Sequence, residues 1–355
     1  MISKNNLSQR FQTVMDELSS KMSENKLVAK EKLGDFIESG LPPVQSEMVI
    51  ATLNGAIGDY LAQRNSRFLQ PMLLRDQHQT LNLEPGQLDQ QLARCTERIV
   101  VCVHGWCMND VQWKRKEHDH GRSLSQYGYT PVYLRYNTGL HISENGENFA
   151  RMLEALVASW PCRVKELVII GHSMGGLVTR SACYYAEQHQ LNWLSTLHTF
   201  ITLGSPHNGA PLAKLACWID DRIADTPYLK MLTRLSEIRS SGTKDLSQGH
   251  IRHTDWQPLA EPALPQERPP LPQGVACYAI ASCLGQNLDD EKNLRLGDGL
   301  VPVASALGAA GDNYAALNYP SQHQWVAGGI NHIDLLIHPH IAKKVQQWVL
   351  FNTAE

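Results

Sequence analysis

The sequence has no apolar run approaching the roughly 20 residues that a membrane-crossing helix needs; the densest, around residues 167–170, is a few residues long. It has no run of Lys and Arg, and 32 basic against 35 acidic side chains leave a formal net charge of −3. A nucleic-acid partner, whose phosphates call for a basic face, is therefore not expected. The opening residues are polar and charged, without the apolar centre of a signal peptide, so the expected location is the cytoplasm. Eight cysteines are scattered without a CxxC pair, several of them in apolar stretches, and are expected to be reduced thiols that pack as small hydrophobes. What remains is a globular composition, 43% hydrophobic and 19% charged.

Residues 1–65 are expected to form a helical extension. Phe11, Val14, Met15 and Leu18 recur at helical spacing, as do Ile50, Leu53, Ile57 and Leu61, with a break at residues 40–43. Their mixed charges favour an arm packed on the main domain, with peripheral membrane contact as the other reading. From about residue 66 to the end the pattern changes. Short strand candidates at 72–75 and 80–83 suggest a hairpin, and then apolar strands at 98–103, 131–136, 166–170, 198–203, 275–281 and 325–327 alternate with amphipathic helices. The clearest helix carries Phe149, Met152, Leu153, Leu156, Val157 and Trp160. Such alternation predicts a mostly parallel central sheet with helices on both faces. Residues 211–274 interrupt it, offering Trp218, Ile219, Tyr228, Leu229, Met231 and Leu232 before a proline-rich end, and read as an inserted cap or lid.

The chemistry concentrates at Gly171-His172-Ser173-Met174-Gly175-Gly176, a G-x-S-x-G sequence after a buried strand and before a helical run. A strained strand-to-helix turn lifts a serine Oγ clear of the sheet, and the flanking glycines let backbones approach where a Cβ would collide. Acyl transfer also needs donors for an oxyanion. The backbone N–H of Met174, just after the nucleophile, and that of Trp106, in Val103-His104-Gly105-Trp106 at the end of an earlier strand, are the expected pair. His104 and His172 then serve the turns rather than the chemistry. Behind such a nucleophile the acid and then the base follow in chain order. Asp298, between Gly297 and Gly299, is the expected acid, ahead of Asp289, Asp290 and Asp312. His332, on a loop after the last strand, is the expected base, ahead of His323, His338 and His340.

Together, GHSMGG, VHGW, LGSPHNGAPLA at 203–213, YNTGLHISENG at 136–146, GDGLVP at 297–302 and Asn331-His332 resemble the bacterial lipase and esterase branch of the α/β-hydrolases, akin to the GPI-inositol-deacylase-like lipases. The similarity covers roughly residues 95–350 and leaves the N-terminal extension outside. It implies an α/β-hydrolase fold and hydrolysis of an apolar acyl ester by Ser173, Asp298 and His332, without metal or cofactor. An acyltransferase or thioesterase would use the same acyl-enzyme. A non-catalytic binding module would have lost a triad member, and none is missing. Oligomeric state, acyl length and leaving group have no signature in the sequence.

Overall fold

The computed structural model describes residues 42–92, 95–211, 240–257, 268–311 and 315–351. The helix expected before residue 42, the apolar residues Trp218 to Leu232 of the insertion, Cys217 and Asp312 lie outside them.

Among the described residues, seven strands form one sheet: β1 (Leu73–Arg75), β2 (Arg98–Val103), β3 (Thr130–Arg135), β4 (Glu166–His172), β5 (Leu197–Leu203), β6 (Ala276–Cys283) and β7 (Gln324–Gly328). Their order is β1-β3-β2-β4-β5-β6-β7. Only the edge strand β1 runs antiparallel, pairing Leu73 with Arg135, and the other neighbours are parallel. Parallel strands need crossovers, and helices supply them. Between strands lie α2 (His120–Ser125), α3 (Ile142–Ser159), α4 (Met174–Gln188) and α5 (Ser241–Gln248), while α1 (Pro43–Gln63) precedes the sheet and α6 (Pro339–Phe351) follows its last strand. This is a mostly parallel sheet covered on both faces, the α/β-hydrolase fold.

Strand side chains alternate between two cores, as a pleat requires. Ile99, Val101 and Val103 join α1, α3 and α4 on one face. Val100 and Cys102 join α2 and α6 on the other, where Tyr278 stacks on Trp348 at 4.6 Å. Because both faces are covered, these strands are continuously apolar, which is why they were visible in the sequence.

The expected strand at 80–83 does not form. Only Thr80 makes a bridge, to Arg75. Asp76 Oδ1 accepts the backbone N–H groups of His78 and Gln79, and Asn82 Oδ1 accepts that of Glu84, so side chains curl a segment whose Leu81 and Leu83 alternate like a strand. Helix α1 is also not the straight helix its spacing predicts, for Ile57 is non-helical at φ −138°, ψ 26°.

Candidate active site

Strand β4 delivers Ser173 into the turn that starts α4. Its φ of 54° and ψ of −125° are a conformation that a residue with a Cβ rarely adopts, and such strain persists only where the surroundings impose it. They do so on both sides. A Cβ on Gly171 would lie 2.7 Å from Gly176 Cα, and one on Gly175 would lie 2.2 Å from Val103 O. Ser173 occupies the N-cap position, where serine commonly bonds the first turn, yet its side chain makes no capping bond. The hydroxyl is thus not committed to a cap.

Two further chain segments converge here. Asp298, 2% exposed, follows β6; its Oδ1 accepts the N–H groups of Leu300 at 3.0 Å and Val301 at 2.8 Å. Its Oδ2 lies 2.7 Å from Nδ1 of His332, also 2% exposed, on the loop after β7. A carboxylate can only accept, so Nδ1 carries the proton and Nε2 is the basic nitrogen. The backbone repeats the link, with His332 N–H donating to Asp298 O at 3.0 Å.

Gly204 connects this pair to the serine. Ser173 N–H donates to Leu203 O at 2.9 Å, and at the next residue a Cβ would lie 3.0 Å from Asp298 Oδ2 and 3.2 Å from His332 Nδ1. Gly204 also has φ +59°. Replacing it with alanine is expected to lower the melting temperature and to cut turnover by about 100-fold through displacement of Asp298 and His332. Steady-state kinetics beside a thermal melt checks this, and an unchanged kcat would show that Gly204 does not limit the geometry.

The other histidines are occupied elsewhere. His172 Nε2 donates to His332 O at 3.0 Å, and the two rings lie 4.8 Å apart. His120 Nε2 donates to Leu335 O at 3.0 Å, holding the histidine loop from below, and burial pushes its pKa down to about 3. His323 Nδ1 meets Cys277 O, and His338 Nδ1 accepts His340 N–H. Among the competing acids, Asp290 caps the short helix Glu291–Leu296 and Asp289 is exposed.

His104 stacks on Tyr136 at 4.3 Å, and its Nδ1–H donates to Gly105 O at 2.9 Å. Burial lowers its pKa from 6.5 to about 4. The folded protein therefore holds His104 neutral where the unfolded chain takes up a proton. Its contribution to stability is complete above pH 6.5 and is lost as the pH falls toward 4. A His104→Asn variant should show a shallower fall of melting temperature across that window than the parent. An equally steep fall would assign the acid sensitivity to other groups.

The expected oxyanion donors occupy the ends of β2 and β4. Met174 opens α4, so its N–H has no partner within the helix and lies at the positive end of the helix dipole. Trp106 is 4% exposed, and the following Cys107 has φ 57°, with its N–H bonded to Thr138 Oγ1 at 3.2 Å.

Some supporting residues had no role of their own in the sequence reading. Thr138 and Gly204 are two. Arg180 is a third: it is 2% exposed on α4, donates to Pro269 O at 3.1 Å and faces His207 Nδ1 at 3.4 Å, with its pKa lowered to about 10 by burial. It fastens Pro269 to helix α4. No cluster of His, Cys, Asp and Glu suited to a metal ion occurs among the described residues, and no described helix is long and apolar enough to cross a membrane.

With Ser173 on its strained turn and the Asp298–His332 contact beside it, the chain can be compared with known proteins. Residues 120–270 match the PGAP1-like alpha/beta domain. The match covers under half of the chain and includes Ser173, whereas Trp106, Asp298 and His332 fall outside it. No curated protein matches the sequence. Solved structures with a similar chain path include the mature Bacillus licheniformis lipase BlEst2, 16% identical with a TM-score of 0.47, covering 79% of this chain and 97% of that one. A lipase-esterase related protein from Clostridium acetobutylicum is 12% identical, with a TM-score of 0.42 and coverage of 71% and 95%. RedJ, a thioesterase from the prodiginine biosynthetic pathway in Streptomyces coelicolor, is 14% identical, with a TM-score of 0.39 and coverage of 73% and 86%. These likenesses are distant, and the chemistry is argued from the residues of this chain.

Proposed function

We propose that this protein is a serine hydrolase of lipase or esterase type that cleaves an apolar acyl ester through an acyl-enzyme on Ser173. The observation that carries the reading is the buried 2.7 Å contact between Asp298 Oδ2 and His332 Nδ1 beside a serine held at φ 54°. In this mechanism His332 Nε2 takes the proton from Ser173 Oγ as the oxygen attacks the acyl carbonyl. The backbone N–H groups of Trp106 and Met174 receive the oxyanion. When the intermediate collapses, the alcohol leaves with the proton from His332. Water then repeats the sequence on the acyl-enzyme, releasing the carboxylic acid and freeing Ser173. Asp298 keeps the imidazole in the tautomer that leaves Nε2 basic, and no metal or cofactor takes part.

The test is turnover of p-nitrophenyl esters of increasing acyl length, with free acid and p-nitrophenol formed in equal amounts. Acyl transfer to an added alcohol or thiol in place of free acid would make the protein an acyltransferase. The cytoplasmic assignment accords with the seven described cysteines, all of which are free thiols.

The inserted segment is assigned to the acyl pocket. One described stretch of it, residues 240–257, packs into the body: Ser240 and Asp245 are each 1% exposed, and Asp245 Oδ2 accepts Ile142 N–H and faces His141 Nδ1, both at 2.9 Å. The apolar residues Trp218, Ile219, Tyr228, Leu229, Met231 and Leu232 belong to the remainder, the proposed lid. Replacing residues 212–239 by a Gly/Ser linker should raise KM for long acyl esters far more than for acetyl esters, with reactivity toward a small phosphonate largely kept. Unchanged KM for both ester classes in a folded variant would remove the lid.

A further inference from the structure

Helix α1 lies outside the sequence similarity, yet it forms the support under the loop that carries Trp106. The helix breaks at Ile57. Two residues earlier, Gly55 O accepts side-chain donors from two distant segments: the indole Nε1–H of Trp106 at 3.2 Å and Ser240 Oγ at 2.7 Å, with Thr243 Oγ1 further away at 3.4 Å. The approach is close. A Cβ on Gly55 would lie 2.2 Å from Cys107 Sγ, so only glycine lets α1 reach the loop. The loop's exit is tied to the same helix, with Asn109 Nδ2 donating to Glu47 O at 3.2 Å.

Trp106 is thus held at both ends. Its side chain is tethered to Gly55 O, and the N–H of the next residue is fixed on Thr138 Oγ1. With its side chain and its carbonyl side both held, the Cα of Trp106 is fixed, and Gly105 O, which accepts His104 Nδ1–H at 2.9 Å, holds the Gly105–Trp106 peptide that carries the Trp106 backbone N–H. The geometry points to Gly55 as a positioning residue, whose carbonyl aims the Trp106 N–H at the oxyanion through the indole of Trp106. This rests on the ester-hydrolase reading above, and it makes the N-terminal helix part of the catalytic apparatus. The same carbonyl also anchors Ser240, where the chain returns from residues 212–239.

A merely structural bond would stabilise the protein without distinguishing ground state from transition state. A bond that aims an oxyanion donor acts on the transition state. Replacing Trp106 with Phe removes the N–H and keeps an aromatic ring. It should lower kcat by about tenfold to a hundredfold, with KM changed little, and weaken binding of a phenylboronic acid, which forms a tetrahedral adduct with the serine, in parallel. Site-specific benzothienylalanine at position 106, which puts sulfur in place of the N–H at nearly constant volume, should give the same loss even if the Phe variant melts early. Trp160→Phe serves as the control. It deletes another indole bond, Trp160 Nε1–H to Thr96 O at 2.8 Å, and should lower stability with kcat unchanged.

Normal kcat and boronate affinity in the benzothienyl protein would overturn the inference and leave the triad assignment standing, as would a raised KM at unchanged kcat. A wild-type protein that hydrolyses no acyl ester would remove both.

Discussion

Replacing Ser173 with alanine is expected to reduce ester turnover by about 10⁴ to 10⁶ while the protein stays folded, because the nucleophile, base and acid act as one unit. The fold should tolerate the change for a local reason. The serine side chain makes no capping bond, so its hydroxyl contributes nothing to α4 that alanine would forfeit. The strain at φ 54° remains in the alanine variant, since a Cβ is still present. A Ser173→Gly variant relieves that strain and should be the more stable of the two by roughly 1 kcal/mol. Melting curves and steady-state rates on the two variants check both halves. Near-normal turnover by a folded Ser173→Ala protein would remove the central assignment.

Replacing Asp298 with asparagine should cost about 10⁴ in kcat, less than loss of the nucleophile at its upper end. The cause is the tautomer. Asp298 Oδ1 is committed to the N–H groups of Leu300 and Val301, and Oδ2 accepts from His332 Nδ1. An asparagine that keeps its oxygen on the two backbone donors turns its NH₂ toward His332. Nδ1 must then accept, the ring proton moves to Nε2, and the base is lost. Asp289→Asn, at an exposed position, should leave kcat unchanged, and Asp290→Asn should touch only the cap of the short helix Glu291–Leu296. A crippled Asp289→Asn enzyme beside an active Asp298→Asn one would transfer the acid role.

Much of the fold was legible in the sequence because parallel strands buried on both faces are spelled as unbroken apolar runs. Residues 98–103 and 166–172 are of this kind, and the sheet pairs them in register from Arg98 with Glu166. The failure at 80–83 has the converse cause. An edge segment alternates by chance, and the Asp76 and Asn82 side chains that curl it act through backbone N–H groups. At the site, chain order and turn chemistry singled out Ser173, Asp298 and His332, of which the structure puts the serine on a strained turn and the other two in contact at 2.7 Å. The role of Gly55 could not be read this way, because a carbonyl oxygen has no letter in the sequence and its partner Trp106 is 51 positions away. Gly55 and Gly58, three residues apart within a helix, were the available signal: both sit where a side chain would strike the body, at Cys107 and Asn137. Gly204 was visible within LGSPHNG, but its need became physical only once Asp298 and His332 were seen beside it.

The most direct test of the account is treatment of the intact protein with a small fluorophosphonate, followed by peptide mass spectrometry and residual ester turnover. The account predicts one phosphonyl group per chain, carried by Ser173, with turnover lost in proportion to labelling and neither reaction occurring in Ser173→Ala. Labelling at another residue that tracks the loss of turnover, or full ester turnover by protein labelled at Ser173, would contradict it.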